Sequence, residues 1–286
     1  MKWEGLSEWN WVIALTLVIT ALGCNETNEV LKSPDLDYKY ERALGFLDSN
    51  KCFSALPVFE DLARLTRGTQ MAADVQYHYA NTHACLRDNY LARYHFRMFV
   101  KTFPNDPRCE EANFEAAMCS YRLSPSPSLD QTETRSAIEE LQLFMDTYPA
   151  SAQRDSAQTL VDNLRSKLET KSYDSATLYH KTGQYRSAVI ALENALRDFP
   201  DSPFRESMSF LILDSHFQYA EQSTERRKAE RYNDAIEAFL TFVARYPESG
   251  KMMEAQRIHN RCLAELDRLA GEPDTKNDSE ASANRP

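Results

Sequence analysis

An internal repeat constrains this 286-residue chain more than any other feature. Starting from Ala188, an apolar residue stands four on (Leu192), another seven on (Ala195), and the pair Phe199-Pro200 eleven and twelve on. The same spacing runs from Ala235 (Phe239, Phe242, Tyr246-Pro247), from Ala137 (Leu141, Phe144, Tyr148-Pro149) and from Ala92 (Phe96, Phe99, Phe103-Pro104). A degenerate copy starts at Ala55 and passes through Phe59 and Leu62, with Thr66-Arg67-Gly68 where the aromatic-Pro pair would stand. Steps of four and three put the Ala and both large residues on one helix face. Proline has no N–H with which to continue a helix, so each copy stops at a fixed distance from its Ala.

Twelve residues before the Ala stands another small residue in three copies: Ala43, Ala80 and Ala176. A short polar turn lies between, clearest at 181–185 (KTGQY) and 87–90 (RDNY). Small residues at both positions let two helices approach closely, while the large ones fill the space between pairs. This unit resembles the tetratricopeptide repeat, with Gly183, Tyr185, Ala188, Ala195 and Pro200 at that motif's positions. The five Ala anchors lie 37, 45, 51 and 47 residues apart. An uninterrupted repeat is about 34 residues, so helices are lengthened or turns carry insertions. The expected fold is all-α, a superhelical array of about five tetratricopeptide-like helix-turn-helix repeats over 37–270. Composition agrees, because only 7 glycines serve all 286 residues. Phosphate-cradling loops and β-rich folds need more of them.

The first residues read as an address. Trp11 to Leu22 is an apolar run of 12 residues, too short to span a bilayer, which takes roughly 20. It has the length of a secretory signal's apolar region, and Gly23-Cys24 follows directly. Ala21-Leu22-Gly23-Cys24 resembles the lipobox of bacterial lipoproteins, in which the Cys thiol is lipidated and cleavage occurs before it. The resemblance implies a signal peptide at 1–23, a lipidated Cys24, and a polar tether at 24–36. Residues 271–286 form a polar tail with too little apolar surface to order itself. A formal charge of −10 argues against nucleic acid as a partner.

Chemistry has little foothold. His78, His83, Cys85 and His95 fall within one repeat, yet His78 and His83 are five apart and offer no regular i, i+4 metal clamp. No nucleophile turn or phosphate-binding string occurs, so the protein is expected not to be an enzyme and to need no cofactor or metal. Apart from Cys24 there are five cysteines, an odd number whose spacing matches no disulfide framework, and they read as buried thiols. A repeat array binds through its groove. An aromatic recurs three residues before the small residue of each first helix: Tyr40, Tyr77, Phe114, Tyr173 and Phe217. Such a row either faces the groove, where it suits an extended polypeptide, or packs between repeats. Arg93, Arg97 and Lys101 form a basic stripe. It either receives a carboxylate, such as the carboxy terminus of a bound polypeptide, or is a solvated helix face. Arg226, Arg227, Lys228 and Arg231 cluster in the fifth repeat.

Lipobox, tether and five repeats, four of them ending in an aromatic-Pro pair, together resemble the outer-membrane assembly lipoprotein family BamD. The repeat endings FPND, YPAS, FPDS and YPES are similar to that family's, as is the insertion SPSPSLDQTET at 124–134. The resemblance implies a lipid-anchored scaffold on the periplasmic side of the outer membrane. It implies that the amino-terminal repeats receive unfolded β-barrel proteins and the carboxy-terminal repeats dock on the periplasmic domains of BamA. On that basis Tyr40, Tyr77, Phe114, Arg93, Arg97 and Lys101 are the candidate partner-binding residues. The alternative is another periplasmic repeat lipoprotein that gathers envelope-division or cell-wall-synthesis proteins.

Overall fold

A computed structural model describes residues 26–271. The expected signal peptide, Cys24 and nearly all of the expected tail therefore lie outside the described residues. Every regular element within them is an α-helix. A short α1 (26–32) leads into five helix pairs: α2 (Leu36–Asp48) with α3 (Cys52–Leu65), α4 (Ala72–Cys85) with α5 (Asn89–Thr102), α6 (Cys109–Leu123) with α7 (Thr132–Thr147), α8 (Arg154–Lys181) with α9 (Tyr185–Asp198), and α10 (Arg205–Glu221) with α11 (Glu225–Arg245). α12 (Met252–Gly271) follows. The protein is a helical repeat array. Two compact units divide it within α8, one ending at Arg165 and the other beginning at Ser166.

Each second helix is built around its anchor. Ala55, Ala92, Ala137, Ala188 and Ala235 are all fully buried, and the residues four and seven further on are no more than 5% exposed. The expected helix partners are equally enclosed: Ala43, Ala80 and Ala176 have no exposure, and Ala117 and Ala220 take the same place in the third and fifth pairs. In the first unit, three small cores succeed one another. One joins α2, α3 and the start of α4, the next α4, α5 and α6, and the third α6, α7 and the first half of α8. In the second unit, Ala176 of α8 packs with Leu192 and Met208, and a larger core unites α10, α11 and α12. A fully buried Phe or Leu stabilises by about 1.5–3 kcal/mol relative to exposure, so no single core dominates an array of this kind.

Helix ends are set by the recurring strings. Phe103, Tyr148, Phe199 and Tyr246 are the C-caps of α5, α7, α9 and α11, with φ between −124 and −132°. Each donates its N–H to the carbonyl of the residue seven after the anchor: Phe99, Phe144, Ala195 and Phe242. The following Pro disfavours the α region for these residues, and the helix stops. Two residues beyond that Pro, Asp106, Ser151, Ser202 and Ser249 accept the backbone N–H two positions on through their side-chain oxygens, at 2.9–3.1 Å. That bond turns the backbone into the next helix. The first copy lacks the Pro but ends in the same register. Thr66 caps α3 by donating both its N–H and its Oγ1 to the Leu62 carbonyl (2.8 Å each), and Gly68 makes the turn at φ +79°.

The tight turns within pairs repeat as well. Asn50, Arg87 and Gly183 each stand five before their anchor, and each has a positive φ, of 56, 59 and 76°. The next residue's N–H reaches back to the carbonyls of Phe46, His83 and Tyr179 at 2.7–3.0 Å, the closure of a Schellman motif. The third pair has the long insertion, where buried Gln131 donates Nε2 to the carbonyls of Ser126 and Leu129. In the fifth pair the extra residues lengthen α11 itself.

One expectation is corrected. Cys52 and Cys85 form a disulfide, whereas all five cysteines were expected to be thiols. Packing of α3 against α4 brings the start of one and the end of the other together, with Cα atoms 6.1 Å apart across 33 residues of sequence. Cys109, Cys119 and Cys262 are buried thiols, and burial pushes each of them up from its ordinary pKa, Cys262 to about 12.

Candidate partner-binding site

The aromatic row of the first helices packs inward, against the large residues of its own or the following repeat. Tyr40 meets Phe59 edge-on at 6.3 Å, Tyr77 lies 5.4 Å from Phe99, Phe114 5.3 Å from Phe144, and Phe217 6.4 Å from Tyr232. Tyr173 stacks on Phe204 at 4.5 Å. Tyr77 is only 6% exposed and Phe217 8%, so these two rings serve the core. Tyr40 and Phe114 are half-buried and keep some surface. Arg108 closes over Tyr77 and Phe99, with its guanidinium held by Asp106 at 2.7 Å and Asp74 at 2.8 Å. Burial and the neighbouring Glu111 push the Tyr77 phenol up to about 12.

The basic stripe is largely paired. Arg93, mostly buried, donates to Glu133 at 3.1 Å and to Ser120 Oγ at 3.3 Å. Arg97 pairs with Glu140, whose other oxygen accepts from Ser120 Oγ at 2.7 Å. Lys101 is exposed at the end of α5. Of the six residues singled out from the sequence, only Arg93 and Arg97 share a polar cluster. Its carboxylates come from α7, 40 positions or more downstream. In the fifth pair the basic cluster is similarly engaged: Arg227 with Glu230 and Lys228 with Glu225, both at 2.7 Å, while Arg231 lies 3.7 Å over the ring of Tyr219.

Sequence reasoning missed a set of grooves on the side of the second helices. Each lies between second helices of consecutive pairs and has the intervening first helix as its floor. The groove between α3 and α5, over α4, has a volume of about 810 Å³. That between α5 and α7, over α6, holds about 150 Å³, and that between α9 and α11, over α10, about 390 Å³. Their lining follows the repeat. Glu60, Arg97 and Glu193, each five after an anchor Ala, form the first rim. Gln76, Asn113 and His216, each four before the small residue of a first helix, form a polar floor. Lys39 stands at that register in the first pair and is buried against Asp61 at 2.6 Å, which holds the Asp61 carboxyl below its usual range. A polar residue at one fixed spacing before the small residue of each of these first helices was the available signal.

The floors differ in how well they are satisfied. Asn113 Nδ2 donates to Tyr148 Oη at 2.9 Å. Gln76 Oε1 is buried without a hydrogen-bond partner. Beside the first groove, Tyr79, His83 and His95 form a ring cluster with centroids 4.5–5.0 Å apart. Among the described residues, no group of three or more His, Cys, Asp or Glu is arranged to hold a metal ion, and no helix is long and apolar enough to cross a membrane.

Paired helices with buried small residues at their crossings, capped copy after copy in one register, define a helical-repeat protein with grooves on the side of its second helices. The family model described as outer membrane lipoprotein (YfiO) matches residues 35–213 and 171–267, and the protein belongs to that family. Two solved structures of repeat proteins align with most of the chain. A tetratricopeptide repeat protein from Parabacteroides merdae is 11% identical, with 82% of this chain and 76% of the other covered and a TM-score of 0.33. A TPR repeats protein from Bacteroides fragilis is also 11% identical, with 81% and 99% covered and a TM-score of 0.37. No curated protein matches the sequence.

Proposed function

We propose that this protein is a lipid-anchored periplasmic scaffold of the β-barrel assembly machinery, which receives unfolded outer-membrane proteins and docks on BamA. It acts by binding, without catalysis or cofactor. The observation that carries the reading is membership of an outer membrane lipoprotein family across nearly the whole repeat region. The lipobox-like Ala21-Leu22-Gly23-Cys24, the repeat endings and the insertion at 124–134 narrow it toward BamD by resemblance. In this reading Cys24 carries the acyl chains, and Tyr40 and Phe114 offer the ring surface left to a client strand. Arg93, Arg97 and Lys101 are the candidates for the client's carboxylate, with Arg97 and Lys101 exposed on α5.

Co-purification from detergent-solubilised membranes tests the reading. BamA as the dominant partner supports it, whereas wall-synthesis or division proteins without BamA would overturn it in favour of a different envelope scaffold. Cys24→Ser is expected to abolish labelled palmitate incorporation and stable membrane fractionation, since several acyl chains anchor far more firmly than one.

A further inference from the structure

The three grooves share one register, yet only one is closed by its own side chains. In the α5–α7 groove, Arg97 on the first rim reaches across to Glu140 on the other, and about 150 Å³ remains. In the α9–α11 groove, the position of Arg97 is taken by Glu193, and the opposite rim carries Asp234 and Glu237. All three are exposed, and all three act electrostatically on His216 at the floor. Like charges thus face each other where the sister groove has an Arg–Glu pair. Burial holds the His216 imidazole below its usual range despite those carboxylates, so it is neutral at pH 7 and supplies no counter-charge. Arg245 lines the far end and offsets one carboxylate at most. Between the rims, Leu196, Ile212 and Phe242 provide apolar lining, and about 390 Å³ stands open.

We propose that the α9–α11 groove docks a partner polypeptide segment presenting an Arg or Lys side chain beside an apolar one. The incoming cation takes the place that Arg97 fills in the closed groove. Guanidinium suits the site better than ammonium, because a planar fork can bond carboxylates on both rims at once. The apolar neighbour covers Leu196 and Ile212. This inference rests on the scaffold reading, but its test involves neither BamA nor barrel proteins, so the two fail separately.

The probe is a hexapeptide alternating Leu and Arg, with blocked ends and a fluorophore, and its counterpart with citrulline for Arg keeps the shape without the charge. Titrated into the full-length protein, the Arg peptide is expected to bind at least about tenfold tighter than the citrulline peptide, the scale of one charge-assisted pair. It should shift the His216 ring resonances. The triple variant Glu193→Gln, Asp234→Asn, Glu237→Gln should lower affinity to the citrulline level with its circular dichroism unchanged. A variant with the same charge change elsewhere, Asp146→Asn, Asp155→Asn, Asp162→Asn, should bind like the wild type. Equal weakening in both triple variants would mean unspecific attraction to an acidic protein and would overturn the proposal. So would the absence of Arg-peptide binding.

Discussion

The imidazoles of His83 and His95 lie stacked, with centroids 5.0 Å apart and planes within 11° of each other. His83 is 4% exposed, and neither of its nitrogens has a hydrogen-bond partner; Asp88 Oδ2 stands 3.9 Å from Nδ1. Burial lowers the pKa of both rings, and the neighbouring His83 helps bring His95 down to about 4. The pair is therefore stable as two neutral rings. Unfolding frees imidazoles that take up protons near their ordinary pKa of about 6.5, so the unfolded state binds more protons below that pH. Stability is full above about pH 6.5 and falls as the pH drops toward about 4, by on the order of 2 kcal/mol. Urea titrations at pH 7 and at pH 4.5 should show this loss, and His95→Phe should reduce it. An unchanged pH dependence in that variant would assign the acid lability to carboxylates such as Asp61 and Asp106 instead.

Ala188 and Ala235 are fully buried where paired helices cross. A Leu at either place must push the helices apart or leave its preferred rotamers, costing about 1–3 kcal/mol. Thermal melts of Ala188→Leu and Ala235→Leu are expected to shift downward. Unchanged melting in both would contradict close packing at the anchors.

Position five before the anchor needs a left-handed residue, and the three tight turns fill it with Asn50, Arg87 and Gly183. A Cβ built at Gly183 meets nothing within 4 Å, so Gly183→Ala carries a backbone cost alone, roughly 1–2 kcal/mol. Arg87→Gly removes that cost in the second pair and should stabilise by up to about 1 kcal/mol, part of the gain being offset by a more flexible unfolded state. Opposite shifts of the denaturant midpoint in the two variants are the expected result.

The Cys52–Cys85 bond closes a loop over a sequence separation of 33 between two adjacent repeats. Its removal by Cys52→Ala with Cys85→Ala should cost about 2–4 kcal/mol, chiefly by freeing the unfolded state. Thiol labelling of the denatured wild type should count the bonded pair separately from Cys109, Cys119 and Cys262. Labelling of Cys52 and Cys85 without a reductant would refute the bond.

Local physics made most of the fold readable in sequence. A helix face recurs every three or four residues, and proline stops a helix wherever it follows the last turn, so the five anchors, their buried followers and the aromatic-Pro ends were visible without coordinates. Even the degenerate first copy kept its register, because Thr66 and Gly68 perform locally what an aromatic-Pro pair does elsewhere. Only tertiary structure decided what depends on helices far apart in sequence. Arg93 and Arg97 looked like an open basic stripe until α7 brought Glu133 and Glu140 against them. The aromatic row offered rings to either a groove or a core, and packing turned Tyr77 inward against Phe96 and Phe99 and Phe217 inward against Tyr232. Cys52 found Cys85, and the grooves formed on the second-helix side, through the approach of one repeat to the next. Spacing within a single helix carries no record of that approach.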